Sequence, residues 1–139
     1  MSACSNSTSW KEEVLWHDGK KIIVGRTTTR DSEGRREIGQ HAPIIEQTLT
    51  FTPPGASQSI TWKSDFGQTF QDNLDLLAID IVDSKPYVVA YPGFCHAYNK
   101  WGRPNPPYVV FTRVRQFKAL NFPVFQWNQG LSSDICGIV

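Results

Sequence analysis

Long apolar runs are missing from this 139-residue chain, and no stretch approaches the ~20 residues that a membrane-spanning helix requires. Cysteine is scarce: Cys4, Cys95 and Cys136 are the only three, too few for a disulfide-dense scaffold and an odd number that leaves one thiol over if the protein is oxidised. An excess of one charge is missing too. Fourteen Lys and Arg face thirteen Asp and Glu, for a formal net charge of +1, which argues against a strong general attraction to nucleic acid. There is no glycine-rich phosphate-cradling motif. The three histidines, His17, His41 and His96, do not fall at the short spacings of zinc sites. Neither a metal nor a cofactor is expected on these grounds.

What is abundant is aromatic and turn-forming: five Trp, eight Phe and four Tyr accompany nine Pro and ten Gly, a composition of strands and turns. With 40% hydrophobic residues, the chain can fill one core and is too short for two comfortable ones.

Periodicity supports the same reading. In residues 45–52, Ile45, Gln47, Leu49 and Phe51 fall on one face while Thr48, Thr50 and Thr52 take the other. Val14-Leu15-Trp16 and Ile22-Ile23-Val24 flank His17-Asp18-Gly19-Lys20, where Asp-Gly suits the positive φ angles of a tight hairpin. A second hairpin is expected with Leu77, Ile79 and Ile81 on one face, a turn at Asp83-Ser84, and a return from Pro86 to Tyr91. Short Ile60-Thr61-Trp62 and the β-branched, aromatic run 107–114 add strands, with residues 116–122 pairing back after a turn at Arg115. Residues 65–77 hold Phe66, Phe70, Leu74 and Leu77 at three- and four-residue intervals, the one place for a short helix. The expected fold is mainly β: a single-domain antiparallel meander over 10–139, closed or stacked as a barrel or sandwich, with at most one short helix.

Residues 1–9 read as a flexible tether or signal remnant. Ser2-Ala3-Cys4 has the small-residue pattern of a lipobox, followed by a polar Ser5-Asn6-Ser7-Thr8-Ser9 tail. A basic, apolar leader does not precede it. Two readings stand open: with a lipid-bearing Cys4 the protein sits in the cell envelope on the periplasmic face, and with Met1 as the true start it is cytoplasmic. Under the first, Cys95 and Cys136 remain as an even pair able to bond in an oxidising compartment.

Several segments carry a resemblance: Trp10 with the Asp18-Gly19 hairpin, Glu37-Ile38-Gly39, residues 77–89 with Lys85-Pro86-Tyr87, and residues 100–108, Lys-Trp-Gly-Arg-Pro-Asn-Pro-Pro-Tyr. Over residues 10–115 the chain resembles a family of small, uncharacterised proteobacterial envelope lipoproteins, related sequences of which are expected on mobile gene cassettes. Beyond Val114 the family's turn with Gly and Trp-Gln-Arg-Ile is replaced by Arg115-Gln116-Phe117-Lys118-Ala119-Leu120. The resemblance implies an envelope setting and no particular activity.

The connection 92–107 concentrates chemistry between two strands, where binding groups gather on rigid sheets. Phe94, His96, Tyr98, Trp101, Arg103 and Tyr108 form the candidate ligand-binding set, aromatic faces for an apolar, sugar or cationic group beside a guanidinium for an anion. The structural alternative is that Pro104, Pro106 and Pro107 stiffen the connection while Trp101 plugs the core. No catalytic residue is assigned. A hydrolase-like use of Cys95 or His96 is the alternative, weakened because neighbours on extended backbone point opposite ways. A third reading places a weak nucleic-acid or anionic-surface contact on Arg26, Arg30, Arg35 and Arg36, taken as a hairpin tip or loop whose acids Asp31, Glu33 and Glu37 offset much of the charge. The expectation is a non-enzymatic, envelope-associated binding or interaction module with residues 94–108 as its recognition surface. Its partner is an unknown protein or small ligand, it self-associates through a sheet edge, and it meets a membrane only through Cys4.

Overall fold

The computed structural model describes residues 6–31, 42–64 and 70–113, together with the backbone of 117–119. Eight strands form two four-stranded antiparallel sheets, each a simple meander. The first holds β1 (Ser7–Leu15), β2 (Lys21–Arg30), β3 (Ile44–Phe51) and β4 (Ile60–Lys63); the second holds β5 (Leu74–Val82), β6 (Lys85–Pro92), β7 (Val109–Arg113) and β8 (Phe117–Ala119). The sheets share one apolar core, to which Val24, Leu49, Phe51 and Trp62 contribute from one side and Leu74, Ile79, Val88, Ala90, Val109 and Phe111 from the other. The stacked, mainly β reading therefore holds, and among the described residues the strands close no barrel. Trp62 meets Phe111 edge-on across the interior, with centroids 5.7 Å apart at 60°, a geometry worth about 0.5–1.5 kcal/mol beyond the area buried.

The alternation in β3 follows the sequence: Gln47, Leu49 and Phe51 are buried while Thr48 and Thr50 lie on the outer side. That outer side continues as a hydroxyl-rich face, where Ser7–Thr29, Ser9–Thr27 and Thr50–Thr61 pair across strands with oxygens 2.8 Å apart. Ser7, Thr8 and Ser9 thus belong to the sheet and not to a tether. β2 likewise runs through Arg30, so Arg26 and Arg30 are strand residues and not a hairpin tip. Arg35 and Arg36 lie outside the described residues.

Both expected hairpins form, with their turn chemistries exchanged. The β1–β2 connection is a type I turn in which the Gly19 N–H bonds the Trp16 carbonyl at 3.0 Å, and among its residues only Gly19 has positive φ, at 82°. It is therefore a three-residue loop ending on a left-handed glycine, closed by the Trp16 N–H on the Lys20 carbonyl at 2.8 Å. The tight two-residue turn is Asp83-Ser84, whose φ angles of 49° and 64° place both residues in the left-handed region. Within β5 a bulge between Leu76 and Ala78 adds a residue, so Leu77 leaves the face of Ile79 and Ile81 and is 53% exposed.

The expected helix in 65–77 is not found where it can be read: Phe70–Asp72 is a single 3₁₀ turn and β5 starts at Leu74. Residues 65–69 fall outside the described set. Leu74 and Leu76 alternate as strand positions, and the three- and four-residue spacing was incidental to them. The α-helix, α1 (Cys95–Lys100), lies in the β6–β7 connection.

Polar contacts tie the sheets together. The Gln47 side-chain amide donates to Asp75 Oδ1 at 3.0 Å and the Asn73 amide to the Ile45 carbonyl at 2.6 Å. At the β1–β2 turn, His17 Nδ1 lies 2.8 Å from the Asp80 carboxylate on β5. That hydrogen bond raises the His17 pKa, and the negative charge of Asp80 adds to it.

Candidate functional site

The β6–β7 connection is built by a short helix with a firm stop. β6 ends at Pro92, and Phe94 occupies the N-cap in extended backbone without a side-chain cap. Ala97 turns inward and is fully buried. At the other end the Arg103 N–H bonds the Tyr98 carbonyl at 2.9 Å and the Gly102 N–H bonds the Asn99 carbonyl at 3.1 Å, with Gly102 at φ 78°. This is a Schellman stop, for which glycine supplies the left-handed residue, and Pro104 prevents continuation. The chain then passes a cis Asn105–Pro106 bond to Tyr108.

The arrangement separates the six candidate residues into two groups. Trp101 packs on the core, edge-on to Phe111 with centroids 5.6 Å apart at 81°, so its ring plugs the sandwich end. Tyr98 is half-buried. Phe94 and Tyr108 instead face solvent, 47% and 46% exposed. Tyr91, 38% exposed, joins them: one step beyond the Ala90–Val109 pair, the β6–β7 register sets Tyr91 opposite Tyr108. The alternation Tyr87, Val89, Tyr91 in the sequence already carried that signal. Arg103 donates from Nε to Asn99 Oδ1 at 2.9 Å, a neutral partner, and pairs with no carboxylate among the described residues. His96 and Lys100, four residues apart on one helix face, approach Asp72 at 3.9 and 4.0 Å, and His96 remains largely exposed.

The local backbone also changes the argument about Cys95 and His96. They are consecutive residues of a helix, so they diverge by about 100° around its axis and do not alternate as strand neighbours would. Cys95 is disulfide-bonded, a state in which its sulfur is not a free thiolate nucleophile. Cys4 and Cys136 lie outside the described residues, as does His41. Among the described residues no group of three or more His, Cys, Asp or Glu converges as a metal site.

No protein-family model, curated protein or solved structure matches this chain.

A second cluster escaped the sequence reading. Trp10, Glu12 and Val14 alternate on the core side of β1, but only Val14 reaches the core. Trp10 is 37% exposed, and the Arg26 guanidinium sits 5.3 Å from its ring centroid. The Arg26 guanidinium also pairs with Glu12 at 3.1 Å, and the Trp10 indole N–H donates to Glu12 Oε2 at 3.0 Å. The indole N–H, with Arg26, holds the Glu12 carboxyl below its ordinary pKa against the opposing effect of burial. Arg30 donates to the Ala42 carbonyl at 2.6 Å. Each of the two described arginines of the basic cluster thus has a hydrogen-bond partner within the fold. The alternation of Trp10, Glu12 and Val14 is the signal for this cluster in the sequence.

Proposed function

We propose that this protein is a non-enzymatic binding or interaction module of the cell envelope, whose contact surface is the aromatic and basic patch Tyr91, Phe94, Tyr108 and Arg103, flanked by His96. The observation that carries the reading is the exposure of three large aromatic side chains around one connection whose helix is anchored by Trp101 in the core. Exposed aromatics on a fixed frame lose little entropy on contact, and burying such a ring contributes roughly 1.5–3 kcal/mol. The partner chemistry is an apolar surface beside an anion, the latter met by the Arg103 guanidinium. Lipidation of Cys4 belongs to the same proposal. Cys4 is three residues from the start of β1, so an acyl chain there would hold the sandwich within about 10 Å of the membrane surface.

The test compares capture of detergent-solubilised envelope components by the wild-type protein and by Phe94→Ala, Tyr108→Ala and their double variant. Each single change is expected to weaken capture about tenfold, the equivalent of 1.4 kcal/mol, without moving the unfolding midpoint. Lys63→Ala on β4 serves as the distant control. Capture that is indifferent to the double variant would defeat the proposal.

A further inference from the structure

The β1–β2 turn holds the chain's single Asp–Gly or Asn–Gly step, Asp18–Gly19. Such a step is chemically special because glycine has no side chain to keep its amide nitrogen from the carboxyl carbon of the residue before it. The surroundings add no hindrance. Apart from its chain neighbours, no atom lies within 4 Å of the place a Gly19 Cβ would occupy, and the Asp18 side chain is 36% exposed. What restrains the pair is the turn itself. The Gly19 N–H is engaged by the Trp16 carbonyl at 3.0 Å. Asp18 Oδ1 accepts the Lys20 N–H at 3.0 Å, and Oδ2 lies 3.2 Å from the Lys20 ammonium. The backbone bond, with the ammonium adding to it, lowers the Asp18 pKa and keeps the carboxyl ionised.

We infer that Asp18 is a modification site, one of spontaneous isomerisation to isoaspartate that the closed turn holds off and an opened hairpin releases. In the first step the Gly19 nitrogen bonds to Asp18 Cγ. The carboxyl O–H leaves as water with the amide proton, and a five-membered succinimide remains. Nothing is oxidised or reduced, and the only co-reactant is the water that then opens the ring. Opening at Cγ restores aspartate. Opening at the main-chain carbonyl leaves Gly19 attached through Cγ, with the former peptide carbon as a free carboxylate. Both requirements of ring closure are blocked in the folded turn: the amide proton is held by the Trp16 carbonyl, and the electrophile is a carboxylate ion drawn toward Lys20, whose oxygen leaves only once protonated. These blocks are bonds of one loop, so they are lost together when it opens. The product carries one more carbon in its main chain than the three-residue loop was built for. The Trp16–Lys20 closure and the hold of His17 on Asp80 both rest on the shorter path, so a converted hairpin closes less well than the original.

The test holds the full chain at about pH 6 and about 37 °C for several weeks, folded in buffer and unfolded in about 6 M guanidinium. Isoaspartate is measured in the tryptic peptide 12–20 by chromatography and by resistance to cleavage before Asp18. The unfolded chain is expected to convert at least about tenfold faster than the folded one, because folded molecules react only while the hairpin is open. Lys20→Ala keeps the backbone bond and removes the ammonium. In the folded chain it is expected to raise the rate about threefold, the reach of an exposed ion pair, and to leave the unfolded rate unchanged. Asp18→Glu, whose carboxyl is one methylene too far for the five-membered ring, is expected to give no product in either state. A folded rate equal to or above the unfolded one, no isoaspartate at Asp18 in the unfolded chain, or a folded Lys20→Ala no faster than the wild type would each overturn the inference.

Discussion

Gly93→Ala should cost stability for a reason that lies on another strand. A Cβ built on Gly93 falls 2.5 Å from Asp75 Oδ2, about 1 Å inside ordinary contact, so the carboxylate must swing away. That carboxylate is not free to move: its other oxygen accepts the amide of Gln47, a residue 7% exposed, at 3.0 Å. Losing the bond leaves a buried amide unsatisfied, a cost of about 1–3 kcal/mol. We therefore expect Gly93→Ala to lower the unfolding free energy by about 2 kcal/mol. Asp75→Ala alone should cost a similar amount, because it strands the same amide. With Asp75→Ala in place the obstruction is gone. Gly93 is not in the left-handed region, so the added methyl should then be neutral or stabilise by about 0.4–1 kcal/mol through the unfolded chain. Urea denaturation of the four proteins, with unchanged m-values, gives the coupling as a double-mutant cycle. Equal costs of Gly93→Ala in the two backgrounds would refute the reasoning.

Two further outcomes follow from the turns. His17 is more basic in the folded protein because of Asp80. The resulting stability is fully present below the ordinary histidine value of about 6.5. It is lost as pH rises through the elevated folded value, so the thermal midpoint should fall from pH 5.5 to 8, and this fall should flatten in His17→Gln, by differential scanning fluorimetry. Ser84→Gly should raise stability by about 1 kcal/mol, because a left-handed φ of 64° costs an L-residue what glycine does not pay; a loss in urea denaturation would contradict this.

Much of the fold was legible because burial imposes a period of two. Leu49 and Phe51, or Ile79 and Ile81, announce their strands whatever they pack against. The exceptions have specific causes. Leu77 reads as a core position, but a bulge adds one residue to β5 and reverses its side. Residues 95–100 carry too few apolar positions to advertise a helix, and this one is held by Ala97 beneath it and by the Gly102 stop. For the site, residue type could mark aromatic candidates but not divide them. The sequence leaves Trp101 open between recognition surface and core plug, and the contact with Phe111 assigns it to the interior. The Trp10–Glu12–Arg26 cluster needed the β1–β2 register, which brings Trp10 beside Arg26 from sixteen residues away.

The meander order of both sheets has a consequence for how the chain reaches this structure. Every strand pairing described joins sequence neighbours, and the chain passes from one sheet to the other once, between β4 and β5. Hairpins of this kind close early and at small loop entropy, unlike the long-range pairings that slow other β-sandwiches. The rate-determining event should then be the docking of two preassembled halves, with Trp62 and Phe111 meeting late. Two polypeptides divided at that crossing would be natural candidates to reassemble in trans.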